Sequence, residues 1–222
     1  MNRTTAYATT SGIAVPKQPV APAGEACGPF PRAVVRDLRG RAGRSPRELS
    51  FGPADLVVVT GLPGSGKSTL MRRAVPGLRI DSQDTRDRFD ARFARVLPYA
   101  VYRPAVRIAH YAGLRRALRS GQGVVVHDCG TQAWVRAWLA REARRRGGTL
   151  RLLLLDVTPD EARDGQRERG RGVSRYAFAR HRGAMAGLLR AVEKGRLPQG
   201  CGAAVLIDRA AAEVLKRIDF VG

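Results

Sequence analysis

The clearest chemical pattern in the sequence is at residues 61–69, whose types and spacing suit phosphate binding. They follow the apolar run Leu-Val-Val-Val-Thr. The apolar run predicts a buried strand. Glycines at 61, 64 and 66 let the next turn curl so that its N–H groups point at phosphate oxygens. A lysine then supplies a cation for the outer phosphates, and a serine hydroxyl can ligate Mg²⁺. The predicted phosphate-binding residues are Gly61, Leu62, Pro63, Gly64, Ser65, Gly66, Lys67, Ser68 and Thr69.

A second polar segment, residues 81–88, reads Asp-Ser-Gln-Asp-Thr-Arg-Asp-Arg after the predicted second strand. Ligands of open α/β sheets lie at the carboxyl ends of strands. A carboxylate there can take a proton from an attacking hydroxyl, and arginines beside it can hold an anionic acceptor. We expect Asp84 to be the general base and Arg86 and Arg88 to bind the acceptor. Helix capping and a surface ion pair are the structural alternative.

Two aspartates follow apolar runs and could organise Mg²⁺. Asp128 follows Val124-Val125-Val126-His127, and Asp156 follows residues 152–155, all leucine. Local sequence does not choose between them. The metal carboxylate must lie on a strand beside the first one and close to Ser68.

A run of arginines follows the predicted fourth strand, on a helix and a glycine-containing loop. Mobile arginines that close over a transferring phosphoryl group lower its barrier. We expect one of them to act as a lid, with Arg167 first among Arg163, Arg167, Arg169 and Arg171. Ordinary surface arginine is the competing interpretation in a chain this rich in arginine.

The elements that must position these residues alternate between strands and helices from residue 55 onward. Strands are predicted at 56–60, 78–81, 124–128, 151–156 and 203–207, and helices at 67–75, 84–96, 99–120, 131–146, 174–194 and 209–218, with another starting at Thr158. Pro104 is tolerable only in a first helical turn, so the third helix could begin there instead of at 99. Apolar strands that alternate with helices predict a parallel sheet covered on both faces.

Composition limits the class of protein. The 222 residues suffice for one α/β domain, which we place at 51–222. Residues 1–50 are rich in Pro and Gly and then basic, which predicts a flexible tail. No apolar run reaches the roughly 20 residues that span a bilayer, and three scattered cysteines fit a reducing cytoplasm. The formal charge of +21 comes almost wholly from arginine and leaves nucleic-acid binding open.

Together these segments resemble the small P-loop kinase-like ATPases that include polynucleotide 5′-hydroxyl kinases, zeta toxins and chloramphenicol phosphotransferase. The resemblance covers residues 55 to the end. It implies a three-layer α/β/α fold with a five-stranded parallel sheet in the order 2-3-1-4-5. It also implies ATP and Mg²⁺ as cofactors, Lys67 and Asp84 in catalysis, and Ser68 and Asp128 at the metal. One departure is Asp87, which stands where the polynucleotide kinases carry an arginine.

The expected function is transfer of the γ-phosphoryl group of ATP to a hydroxyl of an unidentified acceptor, either a small molecule or a polynucleotide end. The alternatives are an ATPase with water as acceptor and an ATP-switched nucleic-acid-binding protein. No membrane partner is expected, and the oligomeric state is open.

Overall fold

The structure, a computed structural model, describes residues 34–41, 44–127, 133–168, 170 and 172–221. The strands are β1 Val34–Asp37, β2 Glu48–Phe51, β3 Leu56–Gly61, β4 Leu78–Ile80, β5 Val124–His127, β6 Leu150–Leu155, β7 Cys201–Ile207 and β8 Arg217–Phe220. The helices are α1 Lys67–Ala74, α2 Ser82–Phe93, α3 Tyr99–Arg119, α4 Ala133–Arg145, α5 Pro159–Arg167, α6 Arg175–Glu193 and α7 Arg209–Val214.

The main sheet has six parallel strands in the order β1-β7-β6-β3-β5-β4. The five strands predicted from the sequence are β3 to β7, and they follow the expected order 2-3-1-4-5. Every residue of β3 is buried, as both faces of the sheet are covered. Val58 pairs with Val126 on one side and with Leu152 on the other, so the centre of the core is a layer of valine and leucine.

The sixth strand corrects the prediction of a flexible tail over residues 1–50. Residues 34–37 form β1, which pairs with residues 203–206 of β7 at the sheet edge, and Leu38 directly after it is 1% exposed. β2 lies in a separate two-stranded sheet with β8. Both pairings join residues about 170 apart in the chain, so no local sequence pattern predicts them. The rest of the predicted tail, residues 1–33, lies outside the described residues.

The C-terminal helix is also shorter than predicted. α7 ends at Val214, and the chain then enters β8, whereas the sequence predicted helix to residue 218. The backbone N–H groups of Lys216 and Arg217 donate to the carbonyl of Arg47, and Ile218 is 1% exposed. Strand pairing with β2 therefore overrides the helical pattern here.

Helix α3 begins at Tyr99, five residues before Pro104. Pro104 is thus inside the helix, and the alternative start near that residue is wrong. Within the described part of the chain, none of the helices has both the length and the apolar character needed to cross a membrane.

The sheet brings the chemistry-bearing segments together. β3, β5 and β6 are neighbours and run in the same direction, so their carboxyl ends lie side by side. The loop at 61–67 leaves β3, His127 ends β5, and the segment leading to α5 leaves β6. β4 adds Asp81 from the far side of β5.

Candidate active site

The predicted phosphate-binding loop is the turn between β3 and α1. Gly64 and Gly66 have φ angles of 90° and 96°, in the left-handed region that favours glycine. The N–H of Ser65 donates to the carbonyl of Leu62 at 3.1 Å, which closes the turn. Helix α1 starts directly after Gly66, so its positive dipole end faces the loop. An anion seated there would meet both the dipole and the loop N–H groups.

Lys67 lies inside this loop and is 5% exposed. Its Nζ donates to the carbonyls of Gly61 and Leu62 at 2.9 and 2.7 Å and to Ser65 Oγ at 3.4 Å. Phosphate oxygens carry full negative charge and are stronger acceptors for an ammonium group than carbonyls are. A bound triphosphate would therefore draw Nζ away from these carbonyls.

Helix α5 holds the loop from outside. A Cβ on Gly165 would lie 2.4 Å from the carbonyl oxygen of Gly64, so helix and loop are in direct backbone contact. Gln166 Nε2 donates to the carbonyl of Pro63 at 2.9 Å, while its Oε1 accepts from the N–H of Val173 at 3.0 Å. Gln166 thus joins the loop to the segment that leads into α6.

A cavity of about 530 Å³ lies beside the loop. That volume is within the ordinary range for small-molecule sites. Its walls come from the loop, α1, α2, β5, α5 and α6. We call it the loop cavity; its lining residues are Pro63, Gly64, Gly66, Lys67, Ser68, Arg72, Gln83, Arg86, Asp87, His127, Gly165, Gln166, Gly172, Val173 and His181.

Asp81 is a buried carboxylate, with its side chain 1% exposed; it does not line the loop cavity itself but contacts two residues that do, His127 and Ser68. Its Oδ1 accepts from His127 Nδ1 at 2.8 Å and from the N–H of Gln83 at 2.9 Å. Burial alone would raise the pKa of Asp81. The hydrogen bond and charge of His127, together with the Ser68 hydroxyl and the Gln83 N–H, outweigh it and hold the pKa well below its usual value. Asp81 is therefore ionised at neutral pH.

The donors near Ser68 fit a Mg²⁺ ion. Asp81 Oδ2 is buried and has no hydrogen-bond partner in the part of the chain that the structure describes. A hard divalent cation prefers a serine hydroxyl, a carboxylate oxygen and phosphate oxygens, with water completing its shell. The same described residues hold no cluster of three or more metal-binding side chains.

The two aspartates that the sequence offered for this role have different outcomes. Asp128 lies outside the described residues, so its assignment stays a prediction. Asp156 bonds to Arg39 Nη1 at 2.7 Å, and it does not line the loop cavity. Its carboxylate is thus occupied at the opposite side of β6, toward β1.

The predicted base, Asp84, does not line the loop cavity. Its carboxylate lies 3.8 Å from Arg72 Nη1 and 3.7 Å from Arg79 Nε. Three other residues of α2 do line it: Gln83, Arg86 and Asp87. The side chains of Gln83 and Asp87 contact each other, since Gln83 Nε2 donates to Asp87 Oδ1 at 2.9 Å. They are one helical turn apart, while Asp84 is about 100° further round the helix from Gln83.

Of the two arginines predicted to bind the acceptor, one lines the loop cavity and the other does not. Arg86 lines the loop cavity, with its guanidinium 4.1 Å from the centre of the Tyr99 ring and 3.4 Å from Asp90. Arg88 instead donates to the carbonyl of Asp84 at 3.3 Å and does not line the cavity.

The predicted lid arginines do not reach the loop cavity in this structure. Arg163 pairs with Asp160 at 2.7 Å and lies over the ring of Phe178. Arg167 pairs with Asp164, and its side chain is 75% exposed. Both line a separate basic cavity against α6. Arg169 and Arg171 lie outside the described residues.

Sequence reasoning missed Asp81, Asp87 and Gln166 as site residues. Asp81 carried a signal, because it stands directly at the end of β4, where the strand-end rule applies. Asp87 is one helical turn after Gln83 on α2, but helical spacing alone does not say which side of α2 faces the cavity. Gln166 carried no signal, since its role depends on the packing of α5 against the loop.

Comparison with known proteins agrees with this geometry. A family model described as AAA domain (AAA_33) matches residues 56–191, more than half of the chain. A chain from the PezAT toxin–antitoxin system of Streptococcus pneumoniae superimposes with a TM-score of 0.50 at 13% identity, covering 76% of this chain and 79% of its own. A proposed kinase from Chloroflexus aurantiacus gives 0.48 at 15% identity, covering 72% and 94%. No curated protein matches. The chain belongs to the AAA domain family, and its fold is that of an α/β P-loop NTPase.

Proposed function

We propose that this protein is an ATP-dependent phosphotransferase that moves the γ-phosphoryl group of Mg-ATP to a hydroxyl of a second substrate. One observation carries the proposal. The loop cavity meets another cavity, of about 470 Å³, and Gln83, Arg86 and His127 line both. A nucleotide on the loop and an acceptor in the second cavity would therefore meet at these shared residues. A hydrolase with water as its acceptor has no need of the second space.

The loop residues would bind and orient the nucleotide. The N–H groups after Gly64 and the amine of Lys67 would hold the β- and γ-phosphates. Ser68 and Asp81 would hold Mg²⁺, which neutralises charge on the phosphates when bound. Arg72 also lines the loop cavity and would add positive charge beside the phosphates.

The transfer step needs a proton acceptor near the acceptor hydroxyl. The hydroxyl oxygen forms a bond to the γ-phosphorus as the bond from that phosphorus to the bridging oxygen of ADP breaks. We assign the released proton to Asp87, because Asp87 lines the loop cavity and the Gln83 amide orients its carboxylate. Asp84, the base expected from the sequence, would serve instead to pair with Arg72 and Arg79.

The experiment is a paired assay of two variants, Asp87→Asn and Asp84→Asn. ADP release and labelled-phosphate transfer are measured against a panel of hydroxylated metabolites and 5′-hydroxyl oligonucleotides, with ATP and GTP as donors. We expect Asp87→Asn to bind Mg-ATP normally but to lose transfer by about a hundredfold or more. Asp84→Asn should stay within about threefold of the wild type, because exposed ion pairs contribute little.

Each alternative has its own outcome in this assay. ADP release that no acceptor stimulates would favour an ATPase that uses water. Transfer to oligonucleotides alone would favour a nucleic-acid partner, in keeping with the charge of +21. Loss of phosphoryl transfer in Asp84→Asn but not in Asp87→Asn would identify Asp84 as the general base. We also propose a cytoplasmic location, which fits the free thiol of Cys201.

A further inference from the structure

The second cavity has a chemical character of its own. It is lined by residues of α2, α3, β5, α4, α6 and the segment leading into α6. We call it the acceptor cavity. Three guanidinium groups line it: those of Arg86, Arg103 and Arg107. No carboxylate is among its described lining residues. The cavity therefore presents concentrated positive charge to whatever enters from solvent.

Two of these arginines have no counter-charge among the described residues. Arg86 faces Asp90 at 3.4 Å, but Arg103 and Arg107 make no ion pair with any described residue, and both are exposed. They are four residues apart on α3, so their side chains lie one turn apart on the same side of the helix. Like charges held this close repel each other unless an anion lies between them. An anionic group would bridge both guanidinium groups with charge-assisted hydrogen bonds.

The deeper wall of the acceptor cavity is apolar and aromatic. Val106, Val126 and Val135 line it, and Tyr111 adds a ring that packs against Trp134 at a centroid distance of 5.7 Å. His110 also lines it, and its Nδ1 is buried with no hydrogen-bond partner among the described residues. A flat ring fits such a wall, and a polar atom on that ring would satisfy the histidine nitrogen.

We propose that the acceptor is a hydroxyl-bearing small molecule that carries both an anionic group, phosphate or carboxylate, and a flat ring. Arg103 and Arg107 bind the anion, the apolar wall takes the ring, and the hydroxyl points to the junction at Gln83 and Arg86. The volume of about 470 Å³ suits a molecule of nucleotide size. This inference rests on the proposed function and names its substrate class.

The test measures binding with the loop already filled. The full chain is saturated with Mg²⁺ and a non-hydrolysable ATP analogue, and probes are titrated by calorimetry. One pair is uridine and uridine 5′-monophosphate; the other is 4-hydroxybenzamide and 4-hydroxybenzoate. The first pair reports on phosphate and the second on carboxylate. We expect the anionic member of at least one pair to bind about tenfold more tightly than its neutral partner.

Two double variants distinguish binding in the acceptor cavity from general attraction by the positive charge of the protein. Arg103→Gln with Arg107→Gln should weaken binding of the anionic probe about ten- to hundredfold and leave the neutral probe within about twofold. Arg115→Gln with Arg116→Gln removes the same charge from exposed positions of α3 that do not line the cavity, and should change neither affinity. Thermal unfolding checks that both variants fold.

Each contrary result overturns the proposal. Equal affinity within both pairs, or no binding of any probe, would exclude a molecule with an anionic group and a flat ring as the acceptor. Equal losses of affinity for the anionic probe in the two double variants would show that the overall positive charge of the protein attracts the probe, without a specific site in the cavity. Binding of a 5′-hydroxyl oligonucleotide without any small probe assigns the cavity to a polynucleotide. If the ATP analogue itself fails to bind, the proposed function fails together with this inference; if it binds, only the inference is at stake.

Discussion

The contact between α5 and the phosphate-binding loop makes a sharp prediction for Gly165→Ala. Alanine favours a helix over glycine by about 1 kcal/mol, so at an ordinary helical position the change would stabilise the protein. At residue 165 the new Cβ would lie 2.4 Å from the carbonyl oxygen of Gly64, whereas ordinary contact begins at 3.4 Å. Helix and loop must therefore separate by about 1 Å, the difference between those two distances.

That displacement should cost more in function than in stability. Overpacking of this kind costs about 1–3 kcal/mol, so after the gain in helix propensity the free energy of unfolding should fall by about 0–2 kcal/mol. A 1 Å misplacement of a binding group can cost roughly a hundredfold. We therefore expect Gly165→Ala to weaken binding of a fluorescent ATP analogue by about ten- to hundredfold while the protein stays folded.

Gly187→Ala is the matched control for this prediction. Gly187 lies inside α6, and a Cβ there would meet nothing within 4 Å. The change should raise the free energy of unfolding by about 0.5–1 kcal/mol and leave nucleotide affinity unchanged. Urea unfolding and nucleotide titration of both variants give the comparison. If Gly165→Ala bound the analogue as tightly as wild type, α5 would not set the position of the loop, and the reasoning would fail.

Three further predictions follow from the site and the sheet edge. Lys67→Ala should reduce nucleotide turnover at least about a hundredfold, measured as ADP release; near-normal turnover would contradict its role. Asp81→Asn should weaken Mn²⁺ binding to the nucleotide complex about tenfold, measured by electron paramagnetic resonance, and an unchanged affinity would exclude Asp81 from the metal site. Arg39→Gln should destabilise the protein by about 1–2 kcal/mol at pH 7. Hydrogen bonds from Arg39 hold the pKa of Asp37 below its ordinary 3.8, so this contribution is present above that pH and is lost as the pH falls through the lowered pKa. A wild-type-to-variant difference in unfolding free energy that stayed constant in acid would contradict it.

The centre of the fold could be predicted because its signals are local. The apolar run at 56–60, the loop after it and the valines at 124–126 each specify their own structure, and parallel pairing then leaves few orders for the strands. The edges could not be predicted in this way. β1 and β8 are only four residues long, and each is stabilised by a partner from the other end of the chain.

The site residues, too, could be predicted only where their signal is local. Residues 61–69 lie together because one motif specifies both their chemistry and their geometry. Which carboxylate of α2 faces the loop cavity depends on the rotation of α2 about its axis, which packing against α3 and the cap at Asp81 determine. In the structure Gln83 and Asp87 line the cavity and Asp84 does not. The lining of the acceptor cavity comes from several separate segments, and no sequence pattern in any one of them predicted it.

The most direct test is a crystal structure of the full chain with Mg²⁺ and a non-hydrolysable ATP analogue. We expect the β- and γ-phosphates on the N–H groups that follow Gly64, with Lys67 Nζ moved from the carbonyls of Gly61 and Leu62 to phosphate oxygens. The terminal phosphate should point toward Gln83 and Arg86. A nucleotide bound elsewhere, with Lys67 still on those two carbonyls, would contradict the central claim that this loop holds the phosphoryl donor.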